Sequence, residues 1–342
     1  MDNGMTRLVA AVEGRRADRI PVFCNLLDQG APHLGMSSEE YFSRGEHVAT
    51  AQLELRERYG YDNVWSLAYV GKEAEFLGCK DIAFAPDGPP NVRDFVLKTP
   101  ADIEALEVPT NLADTPAFEQ SAACLKLLRD EVGGRYPICA YLTGSMTLPA
   151  LLMGMDKWME LLLLGPASLR DDLLTKCSDF YDAEARAYRA AGADVLLYAN
   201  GFGSTDFLPK RLFDALALPW MKRDFAPGGV DGVVYYAGTA RLNPVLNDVV
   251  EQLDIRAFYL SPFDDLTEAR QRLGDRGLLS GVLNDIPIAD FTPEQVRDEV
   301  TRIIQAGKVS ERFLFGTAVM PLNIPEANIR ALMEAALANA AW

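Results

Sequence analysis

Histidine is nearly missing from this chain: 342 residues contain only His33 and His47, both in the first fifty positions. A multi-histidine metal centre cannot be assembled from one copy, and a histidine base must be one of these two. The five cysteines (Cys24, Cys79, Cys124, Cys139, Cys177) are scattered, odd in number and without a Cys-x-x-Cys pair. That pattern predicts reduced thiols and a cytoplasmic protein. Bases are few, 33 against 49 acids for a net charge of −16, so the broad basic face that nucleic acid requires is absent. The opening MDNGMTRLVAAVEGRRADRIPVF has no apolar run of leader length, and no later stretch is long enough to span a membrane. No Gly-rich dinucleotide fingerprint follows the first apolar run, which counts against a nucleotide-binding open sheet.

What is present is a regular alternation. A helix over about 4–14 stops at Gly14, and RIPVFCNL (19–26) follows as a first short strand. Further apolar runs bounded by turn residues are YDNVWSLAYV (61–70), YPICAYLTGSM (136–146), ADVLLYANG (193–201), GVVYYAG (232–238), IRAFYLSP (255–262), GLLSGVLN (277–284) and RFLFGTA (312–318). Stretches of helical periodicity separate them, several with start signals: Asp264 before DLTEAR, Thr292-Pro293, and Pro325. Strands divided by helices imply crossover units and a parallel sheet. The eight strand candidates predict an α/β fold, a single (β/α)8 TIM-type barrel over 1–342, with a doubly wound open sheet as the alternative. The proline-rich region 71–135 exceeds one barrel unit and reads as an insertion, either overhanging the site or serving as an ornamental loop.

In a parallel barrel the site lies at the C-terminal ends of the strands. That rule selects Cys24, Asn25, Asp28 and Gln29 after the first strand, and Trp65, Ser66 and Tyr69 after the second. Tyr141, Thr143 and Ser145 follow the third, and Tyr198, Asn200 and Ser204 the fourth. Tyr235 and Tyr236 end the fifth, and Tyr259, Ser261 and Asp264 the sixth. Ser280 and Asn284 end the seventh, and Thr317 the eighth. The set is rich in tyrosine and amide and poor in charge, which suits a flat, mostly neutral small molecule held by rings and neutral hydrogen bonds. Each also has a plainer role open to it: tyrosine as a core cap, Asp264 as a helix N-cap, Asn200 and Asn284 as loop staples, Cys24 as a small apolar filler.

Several segments, among them AAVEGRRADRIPVF, WSLAYVGKEAEFLGCKDIAFAPDGPPNV, TGSMTLPALLMGMDKWMELLLLGPASLRDDLL and LSGVLNDIPIADFTPEQVRDEV, resemble the uroporphyrinogen decarboxylase superfamily in order along most of the chain. The resemblance implies a distorted (β/α)8 barrel with its pocket at the strand C-termini. In the decarboxylase branch an arginine-bearing loop after the first strand grips the macrocycle's carboxylates, whereas PVFCNLLDQGAPHLG here contains no arginine. The corrinoid-linked branch, of methylcobalamin:coenzyme M methyltransferase type, holds zinc through a His-x-Cys pair before a glycine and a cysteine near the eighth strand. Those positions correspond to Tyr235 and Ala237 ahead of Gly238, and to Thr317 or Ala318. None offers a thiolate, imidazole or carboxylate.

The reading that results is a zinc-independent methyltransferase or demethylase closer to the corrinoid-linked branch. It would act on a small aromatic or heterocyclic compound, with no metal at the family site. Tyr235, Asp28 and Asp264 are its expected catalytic groups, with Tyr235 facing the barrel mouth and Tyr236 packed outward. Asn25, Gln29, Trp65, Tyr69, Tyr141, Ser145, Asn200, Tyr259, Asn284 and Thr317 are its expected substrate contacts. The resemblance further implies a corrinoid or other methyl carrier, a corrinoid protein as partner, and a homodimer. Two rival readings are a metal-free decarboxylase or lyase, with Arg241 or Arg93 anchoring a carboxylate, and a non-catalytic ligand-binding protein on the same scaffold.

Overall fold

The computed structural model describes residues 2–86 and 88–342. Strands β1 (Val64–Trp65), β4 (Ile138–Thr143), β5 (Val195–Ala199), β6 (Val233–Tyr236), β7 (Ala257–Tyr259), β8 (Leu278–Leu283) and β9 (Phe313–Thr317) form one parallel sheet in chain order; β2 (Ile82–Ala83) and β3 (Asn91–Val92) pair separately as an antiparallel hairpin. The order never reverses, so there is no switch point, and the doubly wound alternative is ruled out. The curled parallel sheet with helices around it is the TIM-type α/β fold expected from the alternation.

The first expected strand is the exception. Residues 19–26 make only isolated parallel bridges, Val22 to Phe315 and Asn25 to Val319. Their position is nevertheless that of the missing barrel strand. Phe23 N–H donates to Phe315 O (2.8 Å) on one side, and Asp62 N–H donates to Val22 O (2.8 Å) on the other. Pro21 has no N–H to give, which breaks the ladder. Asp62, buried at 1% exposure, compensates: it accepts from Val22 N–H (2.8 Å) and pairs with Arg7 (2.8 Å) and Arg19 (2.6 Å). The segment that leads to Asp28 is thus fixed by a carboxylate.

Helices follow their sequence signals, with two breaks. The N-terminal helix Gly4–Glu13 starts on an Asn3 capping box and ends where Gly14 turns left-handed (φ 71°). The periodic run 147–164 is two helices, Leu148–Met153 and Met155–Leu164, parted at Gly154 (φ 89°). The stretch from Lys210 to Asp224 widens into a π turn over Phe213–Ala217 before continuing as Leu218–Phe225, since Pro219 cannot donate. Between β1 and β4 lie the helix Lys72–Phe76, the β2–β3 hairpin, the helix Pro100–Ala105 and the helix Glu119–Val132.

Aromatic rings define the two faces of the sheet. Inside, Trp65 stacks on Tyr141 (4.9 Å between centroids), Tyr141 meets Tyr236 edge-on (5.9 Å), and Tyr236 meets Tyr259 (5.8 Å). Outside, against the helices, Tyr198 packs on Tyr235 (5.5 Å), Tyr181 (5.2 Å) and Phe225 (4.8 Å). The inner row depends on Gly316, because a Cβ there would lie 2.2 Å from the Tyr259 hydroxyl oxygen. Gly316→Ala is expected to displace Tyr259 and cost about 1–3 kcal/mol, read as a lower urea midpoint.

Candidate active site

The strand C-termini enclose a cavity of about 430 Å³. Its walls come from the loop after the first segment (Asp28), the helix Lys72–Phe76 (Lys72, Glu73), β4 (Tyr141, Thr143), β6 (Tyr236) and the loop after β9 (Met320, Pro321). Glu184 and Tyr188 reach it from the long helix Ala167–Ala191. Gly88, Pro89 and Pro90 from the 71–135 region also line the cavity.

The electrostatics differ from the charge-poor mouth read from the sequence. Among the described residues four carboxyl groups line the cavity, Asp28, Glu73, Glu184 and Asp285, against one cation, Lys72. Asp28 is 7% exposed, and burial pushes its carboxyl up to about 6. Glu73 is buried and raised by desolvation, with Thr143 Oγ1 donating to its Oε1 (2.7 Å). Glu184 is 1% exposed and neither carboxyl oxygen has a hydrogen-bond partner; burial, reinforced by Glu73, lifts it well above the usual carboxylate range. Asp285 is raised by desolvation as well. Lys72 is already committed: it pairs with Glu75 (3.2 Å), which also accepts from the Tyr69 hydroxyl.

Of the residues expected from the sequence, Asp28, Tyr69, Tyr141 and Thr143 line this cavity. Asn25 supports it from behind, its Nδ2 donating to the Tyr141 hydroxyl (2.9 Å) while Thr317 Oγ1 accepts from Asn25 N–H (2.9 Å). Gln29 tethers the wall by donating to Met320 O (2.8 Å) and Pro321 O (2.7 Å). Trp65 is the stacked backing of Tyr141, and the Tyr259 hydroxyl donates to Thr317 O (2.6 Å). These five, Asn25, Gln29, Trp65, Tyr259 and Thr317, act through neighbours rather than as cavity lining.

Other expectations are corrected. Tyr235 does not face the mouth: its ring lies in the helix layer, its hydroxyl 4.0 Å from Met221 Sδ and 3.4 Å from Asn200 Nδ2. Tyr236 is the one that lines the cavity. Asn200 accordingly lies on the outer side, bonded also by Thr147 Oγ1 (3.2 Å). Ser145 belongs to the same layer, its N–H donating to the buried Asp224 (3.1 Å). Asp264 lines a different cavity, of about 310 Å³, and is a backbone clamp: it accepts from Leu242 (2.9 Å), Asn243 (2.9 Å) and Ser261 (3.1 Å) N–H groups. The cap of the following helix is Asp265, not Asp264. Asn284 is the N-cap of Asp285–Ile288, accepting from Ile286 N–H (3.0 Å). Arg93 and Arg241 are exposed partners of Asp81 and Asp206 and line neither cavity. All five cysteines are buried and free; burial pushes the Cys24 thiol up to about 12, so it is inert at neutral pH.

Zinc does not fit the positions that the resemblance assigned to it. Tyr235 is engaged in the helix layer, Ala237 has no donor, and Thr317 Oγ1 is bonded to Asn25. Among the described residues no cluster of three or more His, Cys, Asp or Glu is placed to hold a metal ion, and no helix is long and apolar enough to cross a membrane.

A parallel sheet curled in chain order, carrying a cavity at its strand ends, defines a TIM-type α/β barrel. Within that class the chain belongs to the uroporphyrinogen decarboxylase family, whose model matches residues 3–338. It is 24% identical over 342 residues to methylcobamide:CoM methyltransferase MtaA of Methanosarcina barkeri, covering 96% of each chain. It is 27% identical over 247 residues to the uroporphyrinogen decarboxylase of Methylococcus capsulatus, covering 69% of this chain and 68% of that one. The solved structure of a methyltransferase from Methanosarcina mazei superposes with a TM-score of 0.85 at 20% identity, covering 99% of both chains. That likeness establishes the shared fold.

Proposed function

We propose that this protein is an enzyme of methyltransferase type that moves a methyl group on or off a small aromatic or heterocyclic compound without zinc. Full-length similarity to methylcobamide-using relatives supports methyl chemistry. The observation that carries the reading is the cavity wall itself, which among the described residues has four tyrosines, a buried Asp28 whose carboxyl is raised to about 6, and no free cation. A macrocycle with eight carboxylates needs cationic forks, and a wall of four acids repels it. The same wall disfavours a carboxylate-anchoring decarboxylase, since Lys72 is already paired.

Methylation of a hydroxyl or N–H group forms a carbon–oxygen or carbon–nitrogen bond as the bond from methyl to its carrier breaks. The acceptor's proton must leave, and Asp28 takes it; in the reverse direction the same carboxyl returns it. Tyr141, Tyr69 and Tyr236 hold the ring of the substrate, with Asn25 fixing Tyr141. A corrinoid, if it is the carrier, would supply or receive the methyl group, and a cavity of about 430 Å³ suits the small substrate with the carrier presented at the mouth by a partner protein.

The direct test is incubation with methylcobalamin and a panel of small phenols and hydroxy- or amino-heterocycles, with methylated product followed by mass spectrometry. A time-dependent methylated product supports the reading. Decarboxylation of an aromatic or pyrrolic acid with no methylated product would favour the lyase instead.

A further inference from the structure

Glu184 is the least explained polar group in the molecule. It lies mid-helix in Ala167–Ala191, is 1% exposed, and lines the cavity with both carboxyl oxygens lacking any partner among the described residues. A polar side chain buried without hydrogen bonds is costly, and native proteins rarely keep one without a use. Its neighbours sharpen the question. Glu73 from the helix Lys72–Phe76 faces it, tyrosines Tyr181 and Tyr188 of its own helix lie close, and Asp28 and Asp285 share the cavity. Among the described residues the one cation that lines the cavity, Lys72, is held by Glu75. Lys72 offsets part of the burial penalty at Glu73, but among the described residues no cation does so at Glu184.

We infer that the Glu184–Glu73 wall is a subsite for a cationic nitrogen, an ammonium or charged ring nitrogen carried by the substrate apart from the methyl-bearing atom at Asp28. Two carboxyl groups flanked by the Tyr69, Tyr141 and Tyr188 rings offer both elements that recognise an organic cation, countercharge and π faces. An anionic ligand would meet four acids, and an apolar neutral one would leave Glu184 as unsatisfied as it is now. The inference rests on the proposed methyl-transfer reading for the position of the substrate, but it is tested by binding alone.

A cation seated against these carboxyl groups favours their ionised form. Burial pushes Glu184 and Glu73 above the ordinary carboxylate range, and their mutual repulsion opposes ionisation of both together. A permanent cation therefore binds more tightly as pH rises and releases a proton. A hydrogen bond from a neutral Glu184 carboxyl to an uncharged ligand gives the opposite slope.

The experiment is calorimetric titration of the full chain with phenyltrimethylammonium and with its uncharged isostere tert-butylbenzene. It is run at several pH values and in two buffers of different ionisation heat. We expect at least tenfold preference for the cation, affinity rising with pH, and proton release. In Glu184→Gln, which keeps shape and loses charge, the preference should fall to about the level of the neutral probe. Equal binding of the two probes, affinity falling with pH, or a preference unchanged in Glu184→Gln overturns the inference. Binding of methoxybenzene with no binding of the cation overturns it too, while leaving methyl transfer to neutral aromatics standing. The pH slope and proton count are read on the unaltered protein, so they hold even if the variant folds poorly.

Discussion

Asp28→Asn is expected to lower kcat/KM for methyl transfer by about 10²–10⁴-fold while the fold survives. In the unaltered enzyme kcat/KM should rise as pH passes through about 6, where Asp28 becomes able to take a proton. In the variant that limb disappears. The stability effect runs the other way. The carboxyl holds its proton more tightly in the folded chain, titrating near 6 rather than its ordinary 3.8, so its contribution is present below 3.8 and lost as pH rises through 6. Above that range the buried charge costs up to about 3 kcal/mol, and the neutral asparagine removes the cost. Asp28→Asn should therefore be less active and more resistant to urea at neutral pH. Loss of activity together with loss of stability would mean that Asp28 is a structural group.

Tyr236→Ala should raise KM for an aromatic substrate about tenfold or more, because it removes one ring of the wall and loosens Tyr141 and Tyr259 on either side. Tyr235→Phe should change kcat and KM by less than roughly twofold, since its hydroxyl makes only long contacts, to Asn200 (3.4 Å) and Met221 Sδ (4.0 Å), in the helix layer. Steady-state kinetics on the two variants side by side decide it. Damage from Tyr235→Phe with Tyr236→Ala spared would place the wrong ring in the mouth.

That pair also shows where sequence reading stops. In VVYYAG the end of a strand is plain, because an apolar run stops at a glycine. Which tyrosine faces inward is not, because a barrel strand is covered on both faces and its alternation is silent. Tyr235 and Tyr236 are interchangeable by composition. Only the neighbours decide, with Trp65, Tyr141 and Tyr259 drawing Tyr236 inward and Tyr198 and Met221 taking Tyr235 outward. The order of strands and the helix stop at Gly14 were legible, because both depend on local signals.

The acidic wall was hidden for a related reason. Glu184 sits in DFYDAEARAYRAAG, where a glutamate looks like any solvated helix residue, and Glu73 sits in an insertion with no strand end to mark it. Selection by strand termini finds Asp28, Tyr141 and Thr143 but cannot find side chains that reach the cavity from a helix or an excursion. Asp264 misled for the opposite reason: it does follow a strand, but three backbone N–H groups claim it. A fully buried acid on the apolar face of the periodic 168–192 helix was the one available signal for Glu184. It could have been read from its spacing to Phe180, Tyr181 and Tyr188.

The central claim is that proton transfer at buried carboxyl groups has replaced metal-activated chemistry in this barrel. Metal content by inductively coupled plasma mass spectrometry, on protein whose methyl-transfer activity is measured before and after chelation, tests it most directly. The account predicts substoichiometric zinc and activity unchanged by the chelator. Tightly bound zinc near one per chain, with activity lost on its removal and restored on its return, would contradict it.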